Sequence, residues 1–173
     1  MMKTIERLML VALAAILTVS CGPYSKLSKE QQAVVDEKVQ SAYVRAIKKP
    51  DVTLEITQII PIGMPTKFTN GEFKLTLEGN EVDTRLPFMG VSHEPRMGGV
   101  DDIAIVFDHE KVDLKSDFSG ADKGEYKYTF KGGEGFNKWE MTLRLYDNGT
   151  AYIDATCQDG RMMKYIADIN LRD

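Results

Sequence analysis

The sequence predicts a mainly β fold, an antiparallel β-sandwich or partly closed barrel of about eight or nine strands with one N-terminal helix. Three observations carry this reading. From Val52 onward, apolar and polar residues alternate with period two in run after run, the pattern of strands with one buried and one wet face. Asn148-Gly149 and Asp159-Gly160 each stand between two such runs, and both dipeptides tolerate the positive φ angles of a two-residue hairpin turn. No helical pattern separates one run from the next, whereas parallel strands need long crossover connections.

The chain opens on a segment that reads as an address. Lys3 and Arg7 precede the apolar run "LMLVALAAILTV" (Leu8 to Val19), and Ser20 and Cys21 follow at once. That run is too short for a membrane-spanning helix, which needs roughly 20 apolar residues, and it fits the apolar region of a secretory signal. "LTVSCG" resembles the lipobox of bacterial lipoproteins, with Thr18 where leucine is favoured. The resemblance implies a signal peptide over residues 1–20, lipidation of Cys21 and a tether over residues 21–27. The chain is thereby expected to meet its membrane through lipid. Gly22 follows the cysteine, and "GPYSKLSKEQQ" carries no acidic run. Both point to the outer membrane, on its periplasmic face rather than the cell surface.

A single β-rich domain is expected over residues 28–173, led by a helix at 28–49. Ser28 and Gln31 fit a capping box, Lys48 and Lys49 suit the negative end of the helix dipole, and Pro50 is a stop. Val35, Val39, Ala42, Tyr43, Ala46 and Ile47 form one stripe at helical spacing, expected to pack on the domain. Strands follow around Val52–Ile56, Phe73–Leu77, Val82–Phe88, Ile103–Phe107, Val112–Leu114 and Tyr126–Phe130. The last three, roughly 138–147, 150–157 and 161–171, form a meander through the two Gly turns. Pro87 places its strand at a sheet edge.

The pattern as a whole is familiar. "PIGMPTKFTNGEFKLTLEGNEVDTRLPFMG", the paired glycines Gly98-Gly99, the strand "IAIVF" and the closing "NGTAYIDATCQDGRMMKYIADI" resemble the uncharacterised lipoproteins of domain-of-unknown-function family 4251. The chain differs from that family in the inserted "VDD" (Val100 to Asp102) and in Val91. The resemblance implies a fold and a compartment, and no activity.

Composition narrows the chemistry. The net charge is −4 at pH 7, and no basic block offers the phosphate neutralisation on which nucleic-acid affinity depends, so no nucleic-acid partner is expected. Cys157 is the one cysteine besides Cys21. It shares a strand face with Ala151, Ile153 and Ala155, where an inert buried thiol is expected. Catalysis by Ser92, His93 and Asp101 lacks the strained Gly-x-Ser-x-Gly turn, and the chain is read as not an enzyme. Asp101 and Asp102 are separated from Asp108, His109 and Glu110 by the length of a strand, so no metal site and no cofactor are expected. "KGGEGFNKW" lacks the helix a phosphate loop requires.

Two places remain for a site. The long connection "GVSHEPRMGGVDD" between two strands offers His93, Glu94, Arg96 and Asp101 as a candidate binding loop, its length setting it apart from the tight hairpins. Tyr126, Tyr128 and Trp139 lie on neighbouring strands and are candidate lining of a cavity. The expected role is a non-enzymatic binding or interaction module for an envelope protein, a glycan or a small apolar ligand. The alternative is a lipocalin-like carrier of such a ligand.

Overall fold

A computed structural model describes residues 28–89, 104–134 and 137–171. The chain divides into two compact units, residues 1–38 and 39–173. Of the first unit, the described part is Ser28 and the start of helix α1 (Lys29–Lys48). The capping box is reciprocal: Ser28 N–H donates to Gln31 Oε1 at 3.0 Å, and Gln31 N–H donates to Ser28 Oγ at 3.2 Å. Two of the four N–H groups that a helix start leaves without intrahelical partners are met this way or beside it. Val35, the first residue of the predicted apolar stripe, is exposed.

The second unit is one sheet of ten strands: β1 (Asp51–Pro61), β2 (Lys67–Phe68), β3 (Lys74–Glu78), β4 (Glu81–Pro87), β5 (Ala104–Lys111), β6 (Lys115–Asp117), β7 (Glu125–Gly132), β8 (Trp139–Tyr146), β9 (Thr150–Cys157) and β10 (Met162–Leu171). Their order is β5-β4-β3-β1-β10-β9-β8-β7-β6, with β2 paired to the far half of β1. Every pairing is antiparallel. Of the two architectures open from sequence, the single sheet curls into a partly closed barrel. The closing meander falls where the two Gly turns put it, with Gly149 and Gly160 both at φ +88°. Two of the ten strands, β2 and β6, lie outside the expected set, because they are short and wholly exposed and leave no alternating pattern to read. Val112–Leu114, expected as a strand, is instead the connection between β5 and β6.

The concave face holds the core. Leu54, Ile56, Leu75, Leu77, Met141, Leu143 and Met163 are fully buried there, with the aromatic residues Phe107, Phe130, Trp139 and Tyr165. A bulge in β1 between Ile56 and Gln58 keeps Ile59 and Pro61 on that face after the alternation has slipped by one. Pro87 is not on an edge strand: β4 lies between β3 and β5. The proline is tolerated because it is the last residue of β4, opposite Ala104 at the end of the ladder.

The two ends of the barrel are closed differently. At one end stands the last turn of α1, where Ile47 is fully buried and Tyr43, Val44 and Ala46 pack on the core. Tyr128 Oη donates to the Ile47 carbonyl at 2.7 Å, satisfying one of the carbonyls a helix end leaves open. Gly149 receives the Tyr43 ring so closely that a Cβ would lie 2.9 Å from it. Val39, on the same predicted stripe, is 48 % exposed, since only the final turn reaches the barrel. The other end gathers Pro61, Phe88, Gly132, Trp139, Cys157 and Met163, as the strand registers require.

Across the seam between the sheet edges, Phe107 of β5 meets Phe130 of β7 edge-on at 5.7 Å. Both Glu110 carboxylate oxygens accept from Gly133 N–H at 3.1 Å. A Cβ on Gly132 would collide with the Phe107 ring, so glycine is what lets the edges approach.

Candidate functional site at the far end of the barrel

The end opposite α1 is closed by a charge. Arg161 follows the Asp159-Gly160 turn, and its side chain is only 5 % exposed. The guanidinium lies 5.5 Å from the Phe88 ring centre and 5.3 Å from that of Trp139, positions in which a ring quadrupole attracts a cation. Phe88 and Trp139 pack on each other at 5.7 Å. Arg161 Nε donates to Asp159 Oδ2 at 2.6 Å, and Nη2 donates to Asn137 Oδ1 at 3.2 Å and to Cys157 Sγ at 3.3 Å. A buried guanidinium is stable only when so surrounded. Burial alone would raise the Asp159 carboxyl. The Arg161 N–H, the Cys157 side chain and the guanidinium together hold it below the ordinary carboxylate range.

Beside this plug lies a cleft of about 490 Å³, lined by Lys131, Gly133, Lys138, Trp139, Cys157 and Gln158 among others, a volume within the range of small-molecule sites. Its rim carries the exposed Lys131, Lys138, Glu140 and Gln158, and the almost wholly buried Trp139 and Cys157 border it. Lys131 is paired with Glu140 at 2.9 Å. Trp139 Nε1, buried, meets no acceptor among the described residues.

The sequence-predicted residues separate. Trp139 lines the cleft. Tyr126 and Tyr128 do not: both are buried against Phe118, at 5.5 Å edge-on, near the helix-capped end. Lys48 lies over Tyr126 at 5.7 Å, and burial pushes the Tyr128 hydroxyl up to about 12. Tyr165, on β10, donates to the Pro87 carbonyl at 2.8 Å, and burial raises its hydroxyl as well. Cys157 is buried. His93, Glu94, Arg96 and Asp101, like Cys21, lie outside the described residues.

Sequence reasoning missed Arg161, whose charge and position after a turn look like surface. The signal available was its contrast with Met163 and Tyr165, which alternate with it on the buried face. It also missed a cluster on the outer wall. Asp83, Asp108 and His109 bring potential ligand atoms within 4.8 Å of one another, because a bulge opposite Asp83 sets His109 at φ +47°. His109 Nδ1 stands 3.1 Å from Glu81 Oε1. Asp108 and His109 are exposed and Asp83 is half-buried, and nothing besides their proximity points to a ligand.

A family model described as "Domain of unknown function (DUF4251)" matches residues 35–168. The chain belongs to the DUF4251 family. Its fold is similar to the crystal structure of a DUF4251 family protein from Bacteroides eggerthii, with a TM-score of 0.58. The two are 16 % identical, and the alignment covers 79 % of this chain and 89 % of that one. No curated protein matches. The DUF4251 region takes in the whole far end of the barrel, from Phe88 to Arg161, and leaves Cys21 outside it. The family therefore supplies the frame of the candidate site and no chemistry for it.

Proposed function

We propose that this DUF4251 chain is an envelope lipoprotein whose β domain is a non-enzymatic binding module, engaging its ligand or partner at the far end of the barrel. One observation carries the binding reading: the cleft of about 490 Å³ at this end, rimmed by Lys131 and Lys138 and bordered by the buried Trp139 and Cys157. The anchor rests on "LTVSCG", with acyl chains on Cys21 and two or more chains needed for stable attachment. The acidic net charge of −4 supports a role away from nucleic acid. The outer membrane, periplasmic face, follows from Gly22 and the lack of an acidic run after Cys21.

The lipocalin-like carrier draws on the same volume. It is the weaker reading, because the interior around Tyr126 and Tyr128 is filled by Phe118 and the end of α1. A ligand sits in the mouth, not in the lumen.

The test is capture from the native envelope extract by the lipidated chain, scored against a Lys138→Glu/Gln158→Ala variant. Enrichment of a protein, glycan or small molecule that the variant loses supports the reading. Equal capture by both forms moves the site elsewhere. Metabolic labelling with a fatty acid, lost in Cys21→Ala, tests the anchor, and protease shaving of intact cells tests the face.

A further inference from the structure

We propose that the tip of the β1–β2 hairpin is a membrane-contact site, whose apolar side chains enter the acyl boundary of a phospholipid surface. This goes beyond the binding module and rests on the envelope-lipoprotein reading, which supplies the bilayer.

The hairpin exposes what the rest of the sheet buries. Outside α1, the exposed large apolar side chains among the described residues are Ile62, Met64, Phe68, Val106, Tyr152 and Met162. Four of them, Ile62, Met64, Phe68 and Met162, gather here. Past the β1 bulge Ile59 and Pro61 are buried, so the alternation sends Ile62 to the outer side, where it is 61 % exposed. The β1–β10 ladder ends with Pro61 opposite Met163, which brings Met162 level with Ile62. Met64 stands in the turn, and Phe68, on β2 opposite Gln58, is 74 % exposed. Pro61 and Pro65 flank the turn and fix their own φ angles, so little freedom is lost when the tip is covered.

Three properties favour a bilayer over a protein as the cover. The first is area and shape. On a scale of about 200 Å² for a large side chain, the four expose roughly 400 Å². A stable protein complex buries about 800 Å² on each partner, over a closely packed patch. A turn that projects past the end of its ladder is not such a patch, whereas a fluid acyl layer has no shape to match.

The second property is charge. The sixteen residues from Ile56 to Gly71 contain no aspartate or glutamate, in a chain with 26 of them among 173 residues. The negative potential of a bilayer surface repels carboxylates, and this stretch offers it none. The third is reach. Residues 21–28 span at most about 25 Å, and a twenty-residue α1 adds about 30 Å. An acylated Cys21 therefore keeps the sheet unit close to the bilayer, and a tethered contact of low intrinsic affinity is occupied at the high effective concentration so created.

The test uses the acylated full chain in phosphatidylethanolamine–phosphatidylglycerol vesicles, with a polarity-sensitive dye on Thr66→Cys, an exposed position in the turn. A dye on Asp122→Cys, exposed and just before β7 at the α1 end, is the control. Cys157 is buried and Cys21 acylated, so neither competes for the label. Lipids brominated on their acyl chains are expected to quench the Thr66→Cys dye about threefold more than the control, as shallow insertion requires. Adding Ile62→Ser and Phe68→Ser should bring the two positions level, with the fold checked by near-ultraviolet circular dichroism. Equal quenching at both positions before that change overturns the proposal, and so does quenching that the two serines leave intact. A blue shift at Thr66→Cys without quenching, growing with protein density, assigns the tip to a second copy and overturns it as well. An intact mass without acyl chains on Cys21 is a separate result: it removes the anchor, while the dye at Thr66→Cys still decides the fate of the tip.

Discussion

The two ends of the barrel solve the same problem with different chemistry. At the α1 end a fully buried isoleucine and neutral hydrogen bonds seal the core. At the far end a guanidinium packs on two aromatic rings that also pack on each other, next to a buried indole N–H without an acceptor among the described residues. An apolar seal maximises stability and offers nothing to a ligand. A seal built from a paired charge costs desolvation, and a cleft rimmed by lysines opens beside it. The difference separates an end sealed by apolar packing from one where a cleft lies beside a buried charge.

Breaking the apolar seal should have the largest effect. Ile47→Ala removes a fully buried side chain and is expected to cost about 3 kcal/mol, read from urea denaturation, with ligand capture retained in the folded fraction. Arg161→Ala should cost somewhat less, about 2 kcal/mol from the lost ring and hydrogen-bond contacts, because the Asp159 partner is 47 % exposed and adds little. Arg161→Lys should rescue poorly, since an ammonium lacks the planar fork that reaches Asp159 and Asn137 together. Arg161→Ala should remove only part of the acid sensitivity of this end, because the backbone N–H of residue 161 and the Cys157 side chain still lower the Asp159 carboxyl. Asp159 lies below its ordinary range, so its contribution is present above that range and lost as pH falls through its folded value.

Tyr128→Phe sharpens the contrast. It should cost about 1 kcal/mol by removing the bond to the Ile47 carbonyl. The sign with pH is the reverse of the Asp159 case. A hydroxyl raised to about 12 contributes fully below its unfolded value near 10 and loses that contribution as pH rises towards 12. Alkaline unfolding curves of the variant should lack that share of the decline. The smallest effect lies away from both ends: His109→Gly relieves a left-handed conformation and should stabilise by up to about 1 kcal/mol. A loss of stability there would show that the His109 side chain contributes more to the wall than its strained backbone costs.

Much of the frame was legible because it is written locally. Ser28 and Gln31 meet within one helical turn, and Asn148-Gly149 and Asp159-Gly160 set their hairpins without help from distant residues. Cys157 follows from its neighbours on one strand face. The packing of Val39 did not follow from helical spacing, because the period places residues on one side of a helix without saying how far the barrel reaches along it. Pro87 misled in the same way, since its rule concerns ladder hydrogen bonds and its place at the end of β4 removes the conflict.

The sequence by itself determined an antiparallel β protein led by a capped helix, since alternation, turn dipeptides and caps act over a few residues. It also marked Trp139 as facing inward. Tertiary structure alone decided that one sheet curls so that Glu110 reaches Gly133, that Tyr128 is spent on closing one end, and that Arg161 is buried at the other. Those outcomes depend on strands distant in sequence arriving side by side, and on a charge whose burial becomes tolerable only when Phe88, Trp139, Asn137 and Asp159 surround it together.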